Sequence, residues 1–323
     1  MTGKRLFVHS IFLFLLPVLV AWLGISVAGA IGLMLLALLW RWAISMSIWV
    51  APAKVPELEL ETISVSHFVE KVRWCMDRLG VPYTEKPVGG TLGAFFLGRS
   101  VPLLRFKSGA VRSSIGNSSE ILRYLWGRYS VEEEGPARFL EPTPERLELE
   151  YSIDRCGVDL QVWVYFHILS DRKLTLHAWG CNSPAIPGWQ RLALRLLYPL
   201  LSVLIRSSFQ ITPARYEKAV AHIDALLADV EIKLADGRKS ILGGEQINFT
   251  DVSFAAIMGA WLQPAEYGGG KADAVRIEKD QCPEAMIEQI DAWSSTFPLA
   301  TGFIEQTYRT ERSVVDRPDV SAL

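Results

Sequence analysis

A chain of 323 residues with a net charge of −2 is long enough for two compact domains plus an appendage, and gives no reason to expect nucleic acid as a partner. Half of its residues are apolar, an excess concentrated near the start, where residues 6–40 contain no charged side chain. Four cysteines without a CxxC pair and five scattered histidines offer no metal-ligand spacing, and a reduced, cytosol-facing compartment is the simplest account.

Lys4 and Arg5 precede the apolar run, and Ala28-Gly29-Ala30 resembles a signal-peptidase site. The apolar core before that site is about twice the ~7–15 residues of a signal peptide, and a second apolar run follows it at 31–40, so the segment is expected to be retained. A bilayer core takes ~20 helical residues, fewer than 6–50 supplies. Lys4 and Arg5 at one end, and Arg41, Lys54, Lys71 and Arg73 at the other, mark both ends as cytoplasmic, which requires an even number of crossings. The pattern predicts a hairpin with one span near 6–23, a turn at 24–26, a second span near 27–42, and 43–50 along the interface. Trp22 then lies at the outer interface and Trp40 and Trp42 at the inner one. A single tilted span or a half-inserted loop is the alternative, because the turn lacks charged or strongly polar residues.

Beyond Ala51-Pro52-Ala53 the composition is that of a soluble protein. Leu58 and Leu60 alternate as a half-buried strand requires, Ser64-Val65-Ser66-His67 forms a tight turn, and a helix follows. Phe68, Val72, Cys75, Met76 and Leu79 share one helical face, with Glu70, Lys71, Arg73, Asp77 and Arg78 on the other; the helix is expected to pack a single stripe onto a sheet. Gly80 closes it, with Pro82 just beyond. Cys75 lies on the apolar stripe and reads as packing. Ser66 stands at the N-cap position, where free N–H groups and the helix dipole favour an anionic thiol or carboxylate; plain capping is the alternative.

A second strand is expected at 83–88, followed by a Gly-rich loop at 89–93 that lacks the Gly-Lys-Ser/Thr ending of a P-loop. A strand over 100–106, entered through Pro102, a turn at 107–109 and a partner strand at 110–113 follow. The next helix is expected to start from Ile115, with Asn117 and Glu120 at capping-box spacing. Residues 131–147 read as a charged, proline-bearing linker. From Glu148 to about Arg312 helical periodicity dominates, with a second capping box at Asn248 and Asp251. Trp163, Tyr165, Phe166 and His167 read as core or as the lining of a pocket. Residues 192–205 are too short and too charged for a third span and are expected to form a buried or membrane-facing surface helix.

These motifs, taken in order, resemble a glutathione transferase over about 57–312. SHFVEKVRW with LGVPY resembles the family's first helix and second strand, Val101-Pro102 its cis-proline motif, Asn117-Ser118 its glutamyl-binding turn, and ILGGEQINFTDVSFAAI its central C-terminal helix. The implied fold is α/β plus all-α: a thioredoxin-like domain and an all-helical domain, here behind an N-terminal transmembrane helical hairpin that the family does not share. The implied division is an anchor at 1–53, a glutathione-binding domain at 54–130, a linker at 131–147, a helical domain at 148–312 and a tail at 313–323. Within that family the chain resembles bacterial-type members with serine, rather than tyrosine or cysteine, at the active position.

The resemblance implies that Ser66 donates to the sulfur of glutathione, the cosubstrate, and holds it as thiolate for attack on an apolar electrophile. It implies further that the backbone of Val101, before a cis Pro102, pairs with the glutathione cysteine. Asn117 and Ser118 would receive the glutamyl end; many relatives carry an acid where Asn117 stands, so affinity is expected to suffer. His67 is read as a solvent-facing first-turn residue, with a helper base as the alternative. The lack of cysteine at Ser66 and Val69 argues against disulfide reduction. No metal is expected, homodimerisation is a family expectation, and the anchor implies a lipid bilayer as partner, a bacterial inner membrane with the soluble domains facing the cytoplasm. Detoxification chemistry is the expected role; a non-catalytic membrane adaptor or sensor built on the same fold is the competing reading.

Overall fold

The computed structural model describes residues 16–24, 26–47, 56–90, 92, 101–108, 111–130 and 135–312. The expectations for residues 6–15, for 48–50, for residues 91 and 93 of the Gly-rich loop and for the tail at 313–323 fall outside the described residues. The chain divides into two compact units, one of residues 1–59 with 104–114, the other of residues 60–103 with 115–323.

The first unit opens with two apolar helices, α1 (Leu16–Trp22) and α2 (Val27–Ser47), which pack on each other. Gly24, just after α1, has a positive φ of 69°, a conformation that glycine adopts without steric cost. Trp22, Leu36, Trp40 and Trp42 are exposed. Among the described residues no single helix is long and apolar enough to cross a membrane. The unit also holds most of strands β3 (Leu103–Ser108) and β4 (Val111–Gly116) and the start of β1 (Glu57–Thr62). Lys107 pairs with Glu57 at 2.9 Å and Arg105 with Glu59 at 3.6 Å. Such pairs at the surface contribute little. Strand β3 runs through Lys107 and Ser108, residues expected in the turn, and Ile115 and Gly116 still belong to β4 where a helix was expected to start.

In the second unit the end of β1 leads through a turn at Ser64-Val65 into α3 (His67–Arg78) and then β2 (Thr84–Pro87). The four strands lie in the order β2-β1-β3-β4. After α4 (Ser118–Tyr129) no strand occurs among the described residues. The helices are α5 (Pro144–Ile168), α6 (Arg172–Ala178), α7 (Gly188–Ser208), α8 (Pro213–Leu234), α9 (Phe249–Leu262), α10 (Glu284–Thr296) and α11 (Pro298–Glu311). This is a thioredoxin-type α/β arrangement followed by a helical domain. Helix α5 begins at Pro144, inside the stretch read as linker, because Thr143 caps it and proline suits the first turn. Helix α9 is buried almost throughout and packs on α3, α5 and α11. Its expected capping box is formed: Asn248 accepts from the Thr250 N–H at 2.9 Å, and Asp251 accepts from the Asn248 N–H at 2.8 Å. Burial pushes the Asp251 carboxyl up, against the pull of the Asn248 and Ile241 N–H groups and the Ser240 hydroxyl, which donate to it.

The polar face of α3 corrects the sequence reading. Val72, Cys75 and Met76 are buried as expected, but so are Glu70, Lys71 and Arg73, all fully. Buried charge is tolerated only when paired. Arg73 holds Glu70 at 3.0 Å and Glu85 at 2.6 Å, while Arg312 holds Glu70 at 2.8 Å and Asp77 at 3.0 Å. Lys271 meets Glu85 at 2.7 Å. Burial alone would raise the Glu85 carboxyl; Arg73 and Lys271 overcome it and hold it down at about 2. The helix therefore lies between two packed layers rather than on the surface of one. Cys75 shares this burial, which pushes its thiol up to about 12, and Cys156 is likewise raised.

Candidate active site

Ser66 closes the turn after β1 and occupies the N-cap of α3 with extended backbone angles, φ −69° and ψ 124°. Its N–H donates to the Ile63 carbonyl at 2.9 Å and its carbonyl accepts the first helical bond, from Glu70, also at 2.9 Å. Its side chain does not cap the helix. The half-buried hydroxyl has no hydrogen-bond partner among the described residues.

The side chains and carbonyls next to Ser66 are pinned, while its own hydroxyl is not. Tyr267, fully buried, donates its hydroxyl to the Val65 carbonyl at 3.1 Å. His67 Nε2 lies 3.0 Å from the Gly157 carbonyl of α5 and donates to it. Phe68 packs against Gly157 so closely that a Cβ there would lie 2.8 Å from its ring. His67 is thus buried, not solvent-facing, and burial holds its imidazole down at about 4 despite Gly157 and Asp154. Its Nε2 proton is committed to a carbonyl, which removes that nitrogen as a base. Sequence reasoning missed Tyr267, whose signal was only an aromatic before the triple glycine at 268–270.

A second cluster surrounds the start of α4. Asn117 adopts φ 67° and accepts from the Ser119 N–H at 3.1 Å, while Glu120 makes no reciprocal bond, so the expected capping box is half formed. Ser118 is only 2% exposed. The Ser119 hydroxyl donates to Asp154 at 2.5 Å, and Asp154 in turn accepts from Lys71 at 2.8 Å. Lys71 also meets Glu150 at 2.8 Å, and Glu150 meets Arg123 at 3.1 Å. Two cations and two carboxylates balance, tying α3, α4 and α5 together beneath the turn at Asn117-Ser118. With Asn117 on the Ser119 N–H, the donors left at this helix start include the Ser118 N–H and hydroxyl.

The Val101-Pro102 peptide is cis, with Val101 half-buried and Pro102 buried directly before β3. The Gly89-Gly90 pair lies against α6 and α7: the Gly89 N–H donates to Gln190 at 2.6 Å, and a Cβ on Gly90 would lie 3.0 Å from Trp179. Trp163 is core, packed on Trp293 at 5.0 Å between ring centres, and Tyr165 flanks a buried cluster with Leu194 and Leu201. Phe166 stacks on Tyr216, so the aromatic run of α5 is spent on packing. A cavity of about 650 Å³ opens elsewhere, lined by Arg78, Arg238, Glu245, Phe303 and Glu311 among others, and includes none of the candidate residues. Among the described residues no group of three or more His, Cys, Asp or Glu side chains could hold a metal ion.

No protein-family model matches the chain, and no curated protein matches it. The fold is similar to several solved structures. A glutathione S-transferase from Methylobacterium radiotolerans, in complex with glutathione sulfonate, shares 16% identity, with 82% of this chain and 97% of that one covered at a TM-score of 0.47. A glutathione S-transferase from Methylobacillus flagellatus with glutathione bound shares 13%, over 79% and 97%, at 0.46. A maleylacetoacetate isomerase from Anaeromyxobacter dehalogenans shares 17%, over 84% and 98%, at 0.35. With TM-scores below 0.5, the site is defined by the chain's own residues.

Proposed function

We propose that this protein is a membrane-anchored glutathione transferase-like enzyme in which Ser66 holds the sulfur of bound glutathione as thiolate for attack on an apolar electrophile. One observation carries the reading: the Ser66 hydroxyl is unspent at a helix start whose adjoining residues are fixed from the helical side. A serine at an N-cap ordinarily satisfies a helix N–H, which stabilises by about 1 kcal/mol. Here that contact is forgone and the hydroxyl stays available as a donor, with the dipole of α3 behind it.

A free thiol near 8.5 is only a few per cent ionised at neutral pH. One hydroxyl donor and a helix N-terminus lower it by roughly 2 units, about 2.7 kcal/mol, enough to make thiolate the main species. The backbone of Val101 before cis Pro102 would pair with the glutathione cysteine, and Ser118 would receive the glutamyl carboxylate. Asn117 supplies no charge for the glutamyl ammonium, a loss of about 1 kcal/mol or more. Positioning of the electrophile beside the thiolate supplies the remaining rate. The apolar segment before residue 54 would hold the soluble part at the cytoplasmic face of a bilayer, where apolar electrophiles concentrate.

The test is glutathione binding by the full chain, followed by thiolate absorbance against pH in wild type and Ser66→Ala. Expected is binding in both, with the thiol pKa of the complex ~1–2 units higher in the variant and conjugation near neutral pH reduced roughly 10–100-fold. Binding with an unchanged thiol pKa would remove Ser66 from the chemistry. No binding at millimolar glutathione favours the second reading, an anchored non-catalytic scaffold, for which neutral Asn117 and its occupation of the Ser119 N–H speak.

A further inference from the structure

Helix α7 is apolar on two opposite sides. Leu194, Tyr198, Leu201 and Ile205 face inward and are buried with Trp179 and Ile211. Trp189, Leu192, Leu196, Leu200 and Val203 recur at intervals of three or four residues and form a stripe on the outside. Trp189 is 69% exposed, Leu196 70% and Val203 64%. The stripe runs about 21 Å along the helix. Single exposed apolar residues are ordinary; a continuous outward stripe marks a surface that meets something.

The charge beside it identifies what. The helix contains Arg191, Arg195 and Arg206 and no Asp or Glu. At about 100° per residue the three arginines fall on one flank of the helix, between the stripe and the buried side. Arg172 of α6 extends that flank, its guanidinium donating to the Arg195 carbonyl at 2.9 Å. None of the four guanidiniums meets a carboxylate among the described residues, and the Nε of Arg191 has no hydrogen-bond partner there. Arg73, Arg123, Arg215 and Arg312, by contrast, all sit in ion pairs. Arg195 donates to the Cys181 carbonyl at 3.3 Å and Arg172 lies over the Tyr198 ring, so a chain of net charge −2 places beside its exposed leucines four cations that meet no carboxylate among the described residues.

We infer that the outer face of α7 lies in the surface of a bilayer rich in anionic lipid, with the Leu-Val stripe in the acyl boundary and the arginines on headgroup phosphates. An apolar stripe flanked by guanidiniums on a helix with no acid is what such an interface selects, and Trp189 suits the headgroup level. The inner face remains packed on the helical core, so α7 rests on the membrane and does not cross it. The contact is separate from the N-terminal apolar segment and does not depend on the thiol chemistry.

The experiment uses the full chain in vesicles, with Cys282→Ser to silence the half-buried thiol and Leu196→Cys carrying an environment-sensitive fluorophore. Cys75, Cys156 and Cys181 are buried. In phosphatidylcholine containing phosphatidylglycerol the probe is expected to shift to the blue and to be quenched by nitroxide-labelled lipid. A probe at Lys218→Cys, on the exposed side of α8, should remain in water. Arg195→Gln with Arg206→Gln should weaken docking roughly 30-fold, at about fivefold per arginine, and salt should do likewise. A Leu196 probe that stays in water on anionic vesicles overturns the inference. So does a blue shift that persists on pure phosphatidylcholine together with disulfide cross-links between molecules of the unlabelled Leu196→Cys variant, which would assign the stripe to a second copy.

Discussion

His67 follows Ser66 directly, and its burial couples the stability of the chain to acidity. The unfolded imidazole takes up a proton near 6.5, whereas the folded one resists until about 4. Between those values the unfolded state binds more protons, so stability is complete above pH 6.5, falls as the pH drops through the window, and levels off below about 4. The loss amounts to about 3 kcal/mol. His167, also held at about 4 by burial, adds its own share. His67→Gln keeps a donor for the Gly157 carbonyl and removes the titration, so denaturant midpoints measured between about pH 7 and 4.5 should show a shallower slope than wild type. An unaltered slope would mean that the imidazole is not buried as a neutral group.

At the scale of elements the decisive contact is that of α3 with residues far along the chain. Arg312 lies 242 positions from Glu70 yet bonds it at 2.8 Å. Gly269 makes room for it: with φ +58°, a Cβ there would stand 2.7 Å from the guanidinium. Arg312→Met should therefore destabilise by about 3–5 kcal/mol, since Asp77 and Glu70 lose a buried partner. Adding Glu70→Met should recover part of that loss, which thermal unfolding of the two single variants and the double reads as a coupling. Additive losses would mean the pair is not coupled. These same residues mark where sequence reasoning stopped. Alternation at Leu58 and Leu60, the turn at Ser64-Val65, Gly80 as helix stop and the box at Asn248 and Asp251 all signal locally, and each formed close to its expected place. Glu70, Lys71 and Arg73 look like a solvated face because their partners at 85, 150, 154 and 312 are invisible to a window of helical period. The position of Ser66 was legible for the same local reason, but its unpaired hydroxyl was not, because that depends on Tyr267 and Gly157 fixing the turn from elsewhere.

For the whole molecule, the proposed cytoplasmic placement fixes which parts an outside reagent can reach. In the proposed topology, Lys4 and Arg5 before the apolar segment and Arg41 with Lys54 after it mark both ends as cytoplasmic, so the chain would return to the side on which it started. In intact cells a membrane-impermeant thiol reagent should label Leu23→Cys, in the turn between α1 and α2, and should leave Lys239→Cys unlabelled until the cells are opened. Labelling of the Lys239 position from outside would eliminate the even-crossing arrangement.

Cys75 lies on the helix proposed to ionise a guest sulfur, yet burial keeps its own thiol protonated up to about 12. An enzyme handling reactive alkylating compounds runs a standing risk of self-inactivation through its resident sulfur atoms. Under the proposed function, sealing Cys75 by burial removes it as a rival, so the thiolate an incoming compound would meet at the start of α3 is one that leaves with the product.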